Sequence, residues 1–135
     1  MSFSLTNKQI ERFKDDGFVV VDKLVDEKAI AQLHTRFDRL FQGDFETGTR
    51  PDEVNWQEGE SDPELTRQIC NAWKSDRCVA ATVLREDLGH ALAQLGSWPG
   101  TRIVQDNVIS KPPGGAPWVI TRITRTWLGT PRAKC

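Results

Sequence analysis

Five consecutive residues, Lys111-Pro112-Pro113-Gly114-Gly115, put a hard stop in this chain. Two prolines remove backbone donors and two glycines permit turns, so a sheet cannot continue through them. The residues before the stop are of β type. Ile103 and Val104 open a run that Asn107-Val108-Ile109 extends, and the spacing predicts a strand that ends at this loop. Side chains in a strand alternate, so Gln105 and Asn107 are expected on one face. Two amides there fit a polar cavity or, equally, an exposed edge face.

The chain before that strand reads as mostly helical. Thr6 and Gln9 form a capping box, Leu5 can staple against Ile10, and Gly17 can close a first helix in the left-handed conformation. Phe18-Val19-Val20-Val21 is short and β-branched, and reads as a strand buried on both sides. Asp26 is placed to cap a second helix whose residues Ile30, Leu33, Phe37, Leu40 and Phe41 form one apolar stripe, with Gly43 beyond its end. Residues 42–61 are polar and aperiodic and read as a long loop. Asp62-Pro63 predicts a helix start, with Leu65, Ile69, Ala72 and Trp73 continuing it. Asp76 can cap a short helical turn through Val79 and Val83. A further helix carries Leu88, Ala91, Leu92 and Leu95 and is closed by Gly96. The expected count is several helices and two strands.

With 135 residues, one domain with a real core is possible. A net charge of −1 gives no reason to expect nucleic acid or an anionic membrane as partner. No apolar run approaches spanning length, and the first residues lack the basic start of a secretory signal. Cys70, Cys78 and Cys135 form neither an even framework nor a C-x-x-C pair, which is simplest as reduced thiols in a cytoplasm. Charge is unevenly spread: all 19 carboxylates and 14 of the 18 Lys and Arg lie in residues 1–117, while residues 118–135 hold four cations and no acid.

Chemical signatures are scarce. His34 and His90 both fall in expected helices and read as structural, and neither begins an H-x-D or H-x-E. The phosphate-binding glycine loops and the nucleophile elbow are absent. Cys70 and Cys78 have no histidine nearby in sequence to activate them. Glu58, Glu60, Asp62 and Glu64 crowd one region, but their spacing misses the calcium-loop pattern.

Two stretches carry a resemblance. Leu5 to Asp22 reads L-T-x-x-Q-I-x-x-F-x-x-D-G-F-V-V-V-D, and Arg102 to Gly115 reads as a strand followed by K-P-P-G-G. Together they resemble the phytanoyl-CoA dioxygenase family of iron(II)- and 2-oxoglutarate-dependent oxygenases, over roughly the first 117 residues. The resemblance implies an α+β fold in which residues 1–117 are the helical N-terminal portion and first strands of a double-stranded β-helix (jelly-roll) whose barrel is incomplete. It implies Fe(II) and 2-oxoglutarate as cofactors and a small-molecule substrate in full-length relatives. It further implies that the strand before the loop lines the 2-oxoglutarate pocket, which makes Gln105 and Asn107 the candidate co-substrate contacts. Iron ligation in the family needs an H-x-D, usually H-Q-D, directly after the loop, and a distal histidine. Here Trp118-Val119-Ile120-Thr121-Arg122 stands instead. No catalytic or metal-binding residue is therefore assigned, and the chain alone is expected to be inactive and to bind neither cofactor.

The genetic code offers an account of the tail. Permitted codons for Trp118 to Cys135, read one base earlier, give LGYHQDNSYLAWHTPSEM, with H-Q-D directly after the loop. A one-base slip near Pro117 would have replaced the authentic barrel with an aberrant basic tail, residues 118–135, that is not part of the fold. The strand would then lack neighbours, and its unpaired edge would invite self-association. The alternative expectation is a small helix-rich, non-enzymatic binding protein with a basic C-terminal arm.

Overall fold

Thr6 begins the first helix as its sequence requires. Its hydroxyl accepts from the Gln9 amide and the Gln9 side chain accepts from the Thr6 amide, closing the capping box on α1 (Asn7–Asp16). Gly17, at φ 77°, ends the helix with its N–H on the Phe13 carbonyl, in a conformation that L side chains rarely adopt. The computed structural model describes residues 3–114. The tail, and the expectation that it stands outside the fold, lie beyond the described residues.

Asp26 caps α2 (Glu27–Phe41) by accepting from the Ala29 amide at 2.7 Å. Leu33, Phe37, Leu40 and Phe41 turn toward the core as their spacing predicts, but Ile30 at the head of the stripe stays exposed. Residues 42–61 differ from the expected loop. They carry β1 (Glu53–Val54), and Trp56 is buried with its indole N–H donated to the Asp62 carbonyl at 3.0 Å. Phe41 meets the Trp56 ring edge-on at 6.2 Å, and the Arg67 guanidinium lies 3.8 Å over the same ring.

The largest correction falls on residues 62–74. The expected helix is instead a turn at Asp62, the strand β2 (Arg67–Cys70) and a single 3-10 turn at Ala72–Lys74. Asp62 and Pro63 do initiate structure, but the Asp62 carboxylate and carbonyl accept from Glu64 and Leu65 to close a turn. From there β2 bonds to strands on both sides, and this pairing outweighs the local helical pattern.

Asp76 caps α3 (Arg77–Val83) as expected and is fully buried, where it also accepts from Arg36. Next comes α4 (Glu86–Gly96), which packs on α1; the Phe3 amide donates to Asp87 at 2.7 Å. Ser97, not Gly96, takes the left-handed position after this helix. Gly96 is needed for a different reason, because a Cβ there would strike the ring of Trp98.

The last strand, β3 (Asn107–Ser110), is shorter than the expected run from residue 102 because β2 offers only four residues to pair with. The sheet is open, antiparallel and three-stranded, in the order β1-β2-β3. Its register aligns Val54, Ile69 and Val108 across one face. Ile69 and Val108 join Leu40, Phe41, Trp56, Ala72 and Val79 in the core. Phe18–Val21 forms no strand, correcting that expectation. Its side chains alternate, with Phe18 and Val20 outward, but no backbone among the described residues bonds with it, and a strand without a partner is not stable in water. The architecture is thus mixed helix and sheet. Among the described residues no helix is long and apolar enough to cross a membrane.

Candidate functional site

The register that sends Val54, Ile69 and Val108 inward aligns Glu53, Cys70 and Asn107 on the opposite face. Asn107 is therefore held by β-pairing and not by a loop. Gln105, two residues earlier, reaches the same place: its amide donates to Asn107 Oδ1 at 3.2 Å and to Cys70 Sγ at 3.1 Å. The two residues singled out by alternation are in contact. Gln68 joins them, donating to Asn107 Oδ1 at 2.8 Å and to Cys70 Sγ at 3.3 Å.

Cys70 is at the centre and is buried by its polar neighbours. Burial is the main cause that pushes its thiol pKa up, and the nearby Glu53 carboxylate adds to it against the two amide donors. The protonated thiol donates to Asn107 Oδ1 at 3.0 Å, which leaves it a poor nucleophile. Sequence reasoning missed Glu53, Gln68 and Cys70 as neighbours of the two amides. The signal lay in pairing register, which becomes readable only once β1 and β2 are recognised as strands.

Asp106, between the two amides, turns the other way. One carboxylate oxygen accepts from the Trp73 amide at 3.2 Å, and Oδ2 is buried without a partner among the described residues. Burial raises its pKa above the ordinary carboxylate value despite the bonds from backbone amides. A carboxyl raised in the folded state binds its proton more tightly there than in the unfolded chain. Its contribution to stability is therefore greatest at acidic pH and falls as pH rises through the raised range. Asp106→Asn keeps an acceptor for Trp73 and removes the buried charge. We expect it to flatten the dependence of the urea midpoint on pH and to leave the protein at least as stable near neutrality.

A cleft of about 630 Å³ lies between α4 and residues 99–106, with Gln105, Asp106 and His90 among its walls. A larger groove of about 1220 Å³ separates residues 23–25 and α2 from α3. Two of the cations along it, Arg36 and Arg85, are already engaged by Asp76 and Asp87. Arg85 and the Phe3 amide hold the Asp87 carboxyl well below the ordinary range.

Iron does not fit the residues described. His34 and His90 are exposed on separate helices, α2 and α4, and no group of three or more His, Cys, Asp or Glu side chains among the described residues could hold a metal ion. The acid-rich segment of Glu58, Glu60, Asp62 and Glu64 forms no such group either. The polar sheet face offers amide donors to an anion, but its one charged side chain, Glu53, is itself negative. Lys111 is exposed just past the end of β3. In comparison with known proteins, no family model, no curated protein and no solved structure matches the chain.

Proposed function

We propose that residues 1–117 are the N-terminal part of an iron(II)- and 2-oxoglutarate-dependent oxygenase of the phytanoyl-CoA dioxygenase type, cut off before the residues that bind iron. The observation that carries this reading is the strand-then-K-P-P-G-G stretch at Arg102 to Gly115, and the residues after it are compatible with codons that would spell H-Q-D in the neighbouring frame. In this reading the three-stranded sheet is the start of a jelly-roll, and the face bearing Gln105 and Asn107 is part of the co-substrate wall. The meeting of those two amides on one open sheet face supports it. No catalytic step is assigned to residues of this chain.

The test begins with the gene. Codons for residues 118–135 that cannot yield H-Q-D one base away would sink the frame-slip reading outright. If they can, restoring the frame is expected to produce a chain that binds iron and 2-oxoglutarate in calorimetric titration, while the present chain binds neither. Tight iron binding by the present chain, or none by the restored one, would count against the proposal. In the restored chain Gln105→Ala is expected to weaken 2-oxoglutarate binding and leave iron binding intact.

A further inference from the structure

Two segments of this chain have the chemistry of strands and backbone edges that pair with nothing among the described residues. Phe18–Val21 alternates exposed and half-buried residues, with Phe18 56% and Val20 72% exposed. None of its four backbone units bonds to another described residue. At the sheet, β3 bonds to β2 along one edge only; along the other its N–H and C=O groups meet no described backbone partner. Each segment is four residues long and uncharged. Asp15, Asp16 and Asp22 flank the first, whereas Lys111 follows the second.

We propose that Phe18–Val21 of one copy adds as a fourth strand to the free edge of β3 in a second copy. Antiparallel addition with Phe18 opposite Ser110 and Val21 opposite Asn107 matches the faces. Phe18 and Val20, the outward pair, then lie on the core side of the sheet beside Val108, which is already buried. Val19 meets Ile109, which is 55% exposed, on the other face. The same register brings Asp16 beside the oppositely charged Lys111 at one end and sets Asp22 opposite Asp106 at the other, so charge favours the first end and opposes the second. The backbone groups of both segments gain partners that neither has among the described residues. Donor and acceptor are different surfaces, so the contact is heterologous and can propagate from copy to copy. A four-residue strand buries little area, and association is accordingly weak.

Sedimentation equilibrium without iron or 2-oxoglutarate tests this, and its result is independent of the oxygenase reading. The weight-average mass is expected to rise above the 15.3 kDa of one chain across the micromolar-to-millimolar range. Val20→Lys and Ile109→Lys, both at exposed positions, are each expected to hold it at one chain, with circular dichroism unchanged. In a Cys78→Ser, Cys135→Ser background, Val19→Cys protein mixed with Ile109→Cys protein is expected to form disulfide-linked dimers that neither forms alone. A mass fixed at one chain for the unsubstituted protein overturns the proposal. Cross-linking of Ile109→Cys protein with itself as efficiently as in the mixture also overturns it, because that would mean edge-to-edge pairing of β3.

Discussion

Asp76→Ala is expected to lower the stability of the protein by about 3–5 kcal/mol, the range for breaking a buried ion pair from one side. Asp76 is completely buried and serves two elements at once. One oxygen accepts from the Val79 amide at 3.0 Å and starts α3; the other accepts from Arg36 Nε on α2. That bond is the main reason the Arg36 guanidinium pKa lies above its ordinary value. Alanine would remove the cap, worth about 1 kcal/mol by itself, and leave Arg36 largely buried without its main partner. Asp44, the second carboxylate near Arg36, lies 3.6 Å away and is half exposed, so it compensates little. Against a total of about 5–15 kcal/mol for a domain, the loss is a large share of the stability. Asp76→Asn keeps an acceptor for Val79 and is expected to cost distinctly less. Urea midpoints of the two variants, read by circular dichroism, check the order. Equal losses would mean that the Arg36 pair contributes nothing beyond the cap.

Asp76 also shows what a sequence of this kind reveals. Three helix starts were legible because a cap is a local device: Thr6, Asp26 and Asp76 each satisfy an amide three residues on, whereas Asp62 closes a turn instead. Strands were not legible in the same way, because a strand is defined by what lies beside it. Phe18–Val21 has the composition of a strand and no paired neighbour among the described residues, while Arg67–Cys70 has a pattern that reads as helix and two neighbours, and only the second is paired. The candidate site followed the same rule. Gln105 and Asn107 could be placed together by period-two alternation along one run, but Gln68, Cys70 and Glu53 arrive from other strands. Trp56 escaped for a related reason: it sits in a polar, aperiodic stretch and is drawn inward by the Phe41 and Arg67 side chains.

The two faces of the sheet should therefore respond differently to substitution. Ile69→Ala is expected to cost about 2–5 kcal/mol, because Ile69 is fully buried on the central strand and the contacts around it are shared by α2, β1 and β3. Ile69 sits on the middle strand of the three described, so a cavity there cannot be closed without shifting a flanking strand. Gln105→Ala, on the opposite face, removes an exposed amide bonded only to other polar side chains and is expected to fall within about 0.5 kcal/mol of the parent. Thermal and urea unfolding of the two variants provide the comparison. The proposed co-substrate wall requires a polar cluster that costs little to dismantle and is not what holds the sheet together. A loss for Gln105→Ala approaching that of Ile69→Ala would instead make the cluster part of the fold and remove the structural argument for a co-substrate wall.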